Sequence, residues 1–312
     1  MRVFVAGATG VIGRPLVRQL REAGHEVTGM TRSPEKAEAL RVAGAEPVVC
    51  DAFDFEGLRS AVAAARPEVV IHQLTALPAS YDMRNYERTL GPTNRLRTEV
   101  TPVLLDAARA AGARRVISQS ICFMYQPEGG PIKDEQAPIL NQGPEPMVQG
   151  ALATRVMEKE VSDAAGFEGL VLRYGQFYGP GTYYASDGSI AREVSRRRFP
   201  IVGDGGGIFS FVHAEDAASA TVLALDRGGT GVYNVCDDEP VPLRDWLPVY
   251  AQALGAKPPR KAPRWLARLI AGQIAASSAT ELRGASNEKA KRELGWTPRY
   301  PSWRQGFAEA LG

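Results

Sequence analysis

Val3-Phe4-Val5-Ala6-Gly7-Ala8-Thr9-Gly10-Val11-Ile12-Gly13 decides the fold of this chain. Four apolar residues run into a G-x-x-G-x-x-G spacing, and an amphipathic stretch with Leu16 and Leu20 on one face follows at residues 15–23. The pattern predicts a buried strand, a tight turn and a helix that Gly24 stops. Pro15 is tolerated because it falls in the first helical turn. Glycines in such a turn let the backbone approach a pyrophosphate, and the helix N-terminus then offers free N–H groups and partial positive charge. Gly7, Thr9, Gly10, Val11, Ile12 and Gly13 are therefore candidate cofactor contacts. The plainer reading is a tight strand-to-helix turn.

The same texture repeats outward. Strands are expected at residues 26–30, 46–50, 68–72, 115–120, 170–174 and 231–235, and helices at 34–43, 97–111 and 148–165. Strand–helix–strand alternation implies a parallel sheet with helices on both faces. Beyond Tyr174 the chain turns glycine-rich, at Gly179-Pro180-Gly181 and at residues 203–207. Two further helical stretches, 244–254 and 264–275, flank Lys257-Pro258-Pro259.

Composition narrows the function. The 312 residues carry 37 basic and 35 acidic side chains, net +2, with 44% hydrophobic and 23% charged. That balance argues against a strongly electrostatic nucleic-acid or membrane binder. Cys50, Cys122 and Cys236 are far apart, and His25, His72 and His213 form no metal-binding spacing. A reducing cytoplasm is expected, and no metal. The uncharged run after Arg2 reads as strand and turn, not as a leader.

At the end of the second strand a carboxylate would select NAD through the ribose 2′-hydroxyl. Here the residues are Gly29-Met30-Thr31-Arg32-Ser33. Arg32 offers a planar cation for a 2′-phosphate, Thr31 offers a hydroxyl, and Lys36 lies on the next helix. NADP is favoured, with NAD the alternative. The plain reading of these cations is an exposed helix start.

These residues resemble the extended short-chain dehydrogenase/reductases, the NAD-dependent epimerase/dehydratase family. The resemblance runs through the glycine loop, Asp51, Val70-Ile71-His72-Gln73-Leu74-Thr75, residues 114–120 and Arg173-Tyr174-Gly175-Gln176-Phe177-Tyr178-Gly179-Pro180-Gly181. Phe211-Val212-His213-Ala214-Glu215-Asp216 and Leu294-Gly295-Trp296-Thr297-Pro298 continue it. It implies an α/β fold, a doubly wound parallel Rossmann sheet of about seven strands with a smaller, mainly helical C-terminal substrate region. The division expected is 1–174, completed by 209–236, against 175–208 with 237–312. It further implies Asp51 and Ala52 near the adenine, and Gln73, Leu74 and Thr75 along the cofactor.

The family's Tyr-x-x-x-Lys pair is missing. None of the ten tyrosines has Lys four residues later. Gly150 stands where Tyr belongs and Thr154 where Lys belongs, with Glu158 in register as the usual glutamate. The Ser/Thr position falls on Ile121, beside Ser120. Substitute groups are sought in Ser120 as carbonyl polariser and in Tyr125 or Tyr178 as proton donor. Gln119 and Tyr174 with Gln176 would hold the nicotinamide half. Each has a structural alternative: a strand end, or tyrosines that only pack.

Three functions follow from the resemblance. The first is an NADP(H)-dependent oxidoreductase for a small organic carbonyl, enone or alcohol. The second is a nucleotide-sugar epimerase or dehydratase. The third is a non-catalytic NADP-binding sensor. Gln176 and Phe209 align with the Asn and Arg that hold a nucleotide diphosphate in sugar-processing members, which favours an uncharged or weakly charged, partly aromatic substrate, with Arg192, Arg196, Arg197 and Arg198 nearby as the route to the alternative. The resemblance also implies a homodimer through the helices near 97–111 and 148–165, where Val148, Leu152 and Val156 recur at helical spacing.

Overall fold

The computed structural model describes residues 1–80 and 85–311. Seven parallel strands form the central sheet: β1 Arg2–Ala6, β2 Glu26–Thr31, β3 Glu46–Val49, β4 Val69–His72, β5 Arg115–Ile121, β6 Glu168–Tyr174 and β7 Gly231–Val235. Their order across the sheet is β7-β6-β5-β4-β1-β2-β3. The chain starts in the middle, builds one wing and returns to build the other. A crevice therefore opens between β1 and β4 at the carboxyl ends, where open α/β sheets take their ligands.

The strands form because their side chains alternate between two apolar layers. Val3 and Val5 of β1, Val69 and Ile71 of β4, and Leu170 and Leu172 of β6 enter one layer with Leu16 and Leu20. Phe4, Val70, Val116 and Val171 enter the other, with Leu58, Val62, Leu104 and Val161. Both faces are covered, which is why β4 reads as an unbroken apolar run. Each large apolar side chain buried this way contributes roughly 1.5–3 kcal/mol.

Helix α1 spans Gly13–Glu22 and buries Leu16, Val17 and Leu20. After β2, a short 3₁₀ turn at Pro34–Lys36 leads into α2, Ala37–Val42. Helix α3, Phe55–Ala65, is capped by the Asp54 carboxylate, which accepts from Gly57 N at 3.0 Å. The crossover after β4 begins earlier than the expected 97. Helix α4 covers Tyr86–Arg95, a π segment Leu96–Val100 follows, and α5 covers Thr101–Ala110. Pro92 lies inside α4 and Pro102 opens α5. Each lacks an N–H, so the sequence looks broken where the chain stays wound.

Helix α6, Glu145–Ser162, packs on β5 and β6. Its residues Leu152 and Val156 face outward. Beyond β6, Gln176–Tyr178 pairs in parallel with Phe211–His213 and leads from the sheet into a third apolar cluster. That cluster gathers Tyr178, Tyr184, Phe209, Phe211, Trp246, Tyr250, Trp303 and Phe307. It is enclosed by α7 Ser189–Ser195, α9 Leu243–Ala253, α10 Arg264–Ala271, α11 Gln273–Glu281 and α13 Trp303–Leu311. Helices α8 Ala214–Leu223 and α12 Glu288–Leu294 flank the sheet. The single helix expected over 264–275 is two, because Gly272 breaks it at φ 90°.

Candidate cofactor and substrate site

The glycine loop sits at the crevice, and its spacing is sterically enforced. Gly7 has φ 91°, and a Cβ there would lie 2.7 Å from the Gln73 carbonyl oxygen. A Cβ on Gly13 would lie 2.3 Å from the Gly7 oxygen. Gly10 N donates to the Gly7 oxygen at 3.1 Å and closes the turn. Ala8 N donates to Met30 O, tying the loop to β2. No side chain caps α1, whose Arg14 N and Leu16 N donate to the Gly10 and Ile12 oxygens, so the helix start meets the loop as bare backbone. This cradle fits the pyrophosphate of a dinucleotide.

Around it, Thr9 Oγ1 meets Thr31 Oγ1 at 3.1 Å, and the Thr31 hydroxyl accepts from Ser33 N at 3.2 Å. Arg32 and Lys36 are exposed beyond this pin. The Ser33 hydroxyl donates to the Glu35 carboxylate. Val11 is half-buried and Ile12 buried. Asp51 is exposed after β3 and accepts from Phe53 N at 2.9 Å, while Ala52 is buried beside it.

At the end of β4, Gln73 is buried and donates to the Tyr174 hydroxyl at 3.1 Å. That hydroxyl also meets Thr221 Oγ1 at 2.7 Å. Burial pushes the Tyr174 phenol up to about 12. Tyr174 thus lies beneath the loop and holds Gln73. The Gln73 Oε1 is buried without a partner among the described residues. Gln119 Nε2 donates to the Leu74 carbonyl at 3.1 Å, joining the ends of β4 and β5. Thr75 is exposed and Gln176 half-buried. His72 accepts from Leu74 N at 3.2 Å through Nδ1 and meets Thr101 Oγ1 at 3.1 Å through Nε2. Burial, with Arg97 adding to it, lowers His72 to about 4, so the ring is neutral at pH 7.

The three proton-handling candidates are not gathered at one point. Ser120 Oγ donates to Glu158 Oε1 at 2.6 Å. Glu158 and Arg173 form a buried, two-pronged ion pair at 2.8 and 2.6 Å. Arg173 also donates to the Tyr125 hydroxyl at 3.0 Å, and that hydroxyl donates to Asn234 Oδ1 at 2.7 Å. Ser120 and Tyr125 therefore belong to one closed polar network under α6. Tyr178 lies elsewhere, fully buried beside His213, Phe307 and Gly306. Its hydroxyl has no partner among the described residues. Burial pushes the phenols of Tyr125 and Tyr178 well above their ordinary range. His213 caps α8 by accepting from Glu215 N, as a structural histidine does.

At the two positions that the resemblance sets against a Tyr and a Lys, Gly150 is buried and the buried Thr154 hydroxyl bonds its own helix, at the Gly150 oxygen, 2.8 Å away. Phe209 is a core residue stacked on Phe211 at 6.1 Å. Glu158 is legible in the sequence and its partner is not. Arg173 stands within the quoted family motif, yet nothing local to it announces a buried ion pair.

A family profile described as the NAD dependent epimerase/dehydratase family matches residues 3–236. The chain belongs to that family. It is 48% identical over 308 residues, covering 98% of this chain and 99% of the other, to a 3-diazoavenalumate denitrifying reductase of a Streptomyces species. A 2-alkyl-3-oxoalkanoate reductase of Stenotrophomonas maltophilia is 26% identical, over 82% of this chain and 76% of that protein. UDP-glucose 4-epimerase of Thermotoga maritima has the same fold, with TM-score 0.77 at 22% identity, covering 100% of this chain and 97% of the other.

The buried pair generates a stability prediction. Glu158→Gln leaves the Arg173 guanidinium charged and uncompensated, which typically costs about 3–5 kcal/mol. Urea unfolding at pH 7 should show a loss of that size, and Glu158→Gln with Arg173→Met should recover much of it. A single variant as stable as the parent would mean the pair is not buried.

Proposed function

We propose that this chain is an NADP(H)-dependent reductase that serves a small, activated organic electrophile and does so without a tyrosine–lysine acid pair. The observation that carries the reading is the glycine cradle at the sheet's switch point, flanked by an α6 that offers Gly150 and Thr154 instead of a phenol and an ammonium. When bound, the reduced nicotinamide supplies a hydride equivalent; the protein supplies position. Gly7, Gly10 and Gly13 admit the pyrophosphate. Arg32 and Lys36 take the 2′-phosphate, and Asp51 and Ala52 border the adenine. Gln73, Leu74, Thr75 and Gln119 line the path toward the reacting carbon, with Tyr174 holding Gln73 in place. Ser120 and Tyr125, committed to Glu158 and Arg173, stiffen the floor under α6 and do not carry protons.

A positioned proton donor adds about 10²–10⁴-fold in a typical enzyme. Some acceptors do not need one. At an aryl diazonium carbon, the incoming electron pair forms the C–H bond while the C–N pair leaves with dinitrogen, so no oxyanion forms. The relative that is 48% identical over 98% of this chain carries a diazo compound and a denitrifying reduction in its name. An activated enone is the next acceptor in order of suitability: hydride at its β-carbon gives a stabilised enolate, which takes its proton from water. A nucleotide sugar suits the site poorly, because Phe209 is buried in the apolar cluster where a diphosphate needs a cation.

The test is loss of reduced-nicotinamide absorbance when protein and NADPH meet a small aryl diazonium or enone. NADPH should be oxidised one-to-one with product and preferred over NADH. Arg32→Ala should weaken NADPH roughly ten- to hundred-fold, the worth of a charged hydrogen bond, and leave NADH unchanged. Equal affinity for the two cofactors would remove the NADP assignment. NADPH that binds, is never oxidised and changes the assembly would mark a sensor.

We also infer a homodimer through α5 and α6. Leu152 and Val156, at i and i+4, are 48% and 36% exposed on α6. Light scattering should return twice the chain mass, and Leu152→Glu should return one chain. A monomeric parent would refute the dimer.

A further inference from the structure

Helix α10, Arg264–Ala271, is amphipathic but turned the wrong way for a core helix. Of its residues only Ala267 is buried. Trp265, Leu269 and Ile270 are 68%, 77% and 54% exposed. The other three tryptophans, Trp246, Trp296 and Trp303, are at most 1% exposed. Scattered exposed apolar residues are ordinary, but three large ones on two turns are not.

Charge along the stretch of chain that carries this helix is one-sided. Between Asp245 and Glu281 the chain has no carboxylate, while it has Lys257, Arg260, Lys261, Arg264 and Arg268. Arg264 reaches the Glu281 carboxylate. Lys257, Arg260, Lys261 and Arg268 are exposed and have no ion pair among the described residues. Arg197 donates to the Pro258 carbonyl at 3.1 Å, which brings a second run of arginines alongside. The overall charge of +2 conceals this local excess.

We propose that α10 is a docking helix for the surface of an anionic phospholipid bilayer. Trp265, Leu269 and Ile270 enter the boundary between headgroups and acyl chains, and the flanking cations meet the headgroup phosphates. Tryptophan favours that boundary because its ring is apolar and its N–H is wet. No helix among the described residues is long and apolar enough to cross a membrane, so the contact is peripheral. A second copy of the chain is a poorer occupant. Pairing two α10 faces about a two-fold axis brings both rows of cations together, and an interface between copies is the same patch on each.

Vesicle flotation tests this. The purified protein is mixed with phosphatidylcholine vesicles, with or without about 30 mol% phosphatidylglycerol. Binding should rise about tenfold or more with the anionic lipid and fall as salt screens it. Because the other tryptophans are buried, a blue shift on binding reports Trp265. Trp265→Phe should lose most of that shift and keep most of the binding. Trp265→Ala with Leu269→Ala and Ile270→Ala should bind about tenfold less or worse, and Lys261→Gln with Arg268→Gln should weaken binding to anionic vesicles. These positions are exposed, so NADPH affinity serves as the folding control. Three results would overturn the proposal: no dependence on anionic lipid; a triple variant that floats like the parent; or a lipid-free dimer that the triple variant dissolves. Equal retention of parent and triple variant on polyglutamate and on anionic vesicles would mark plain cation binding and also overturn it.

Discussion

The structure hangs on one close approach, that of the glycine loop to the end of β4. A Cβ on Gly7 would stand 2.7 Å from the Gln73 oxygen, and one on Gly13 would stand 2.3 Å from the Gly7 oxygen. The strand, the turn and the start of α1 can occupy this space only as bare backbone. That constraint brings β1 and β4 together at the switch point. It sets Gln73 on the Tyr174 hydroxyl, which in turn meets Thr221, and it leaves the loop free of side chains beyond Cα at its three glycines. The crevice follows from chain order and from the absence of side chains.

Behind the crevice, β6 and α6 share a buried ion pair. Ser120, Glu158, Arg173, Tyr125 and Asn234 form a closed chain of hydrogen bonds through the interior. Buried charges of this kind are tolerated only when every partner is met, so these groups have little freedom to move protons. The phenols are held neutral by burial. On the proposed reading, what remains for a substrate is a positioning surface, which suits acceptors that do not build up negative charge on oxygen.

The sheet was legible in the sequence because its strands are β-branched and buried on both faces, and the glycine loop because steric need leaves few alternatives there. Helix α3 was not, since an alanine-rich stretch carries little periodic contrast. Helix α4 was hidden by Pro92, and the break in α10 and α11 was hidden because a single glycine inside a helical pattern is usually tolerated. For the site, the missing Tyr-x-x-x-Lys was plain in the letters. The fate of Ser120 and Tyr125 was not: their partners lie 38 and 109 residues away in the chain, and no local spacing points to them. Net charge says nothing of local surfaces in the same way, because +2 averages over a carboxylate-free run around α10.

The central claim is reduction without a proton donor, and isotope effects test it most directly. With a substrate in hand, NADPH oxidation is followed in single turnovers, using reduced cofactor deuterated at the transferred position and, separately, in D₂O. The account predicts a clear primary effect from the cofactor, no solvent effect and a flat rate between about pH 6 and 8. A solvent isotope effect together with a bell-shaped profile, both removed by Tyr178→Phe, would contradict it and return the proton to a side chain.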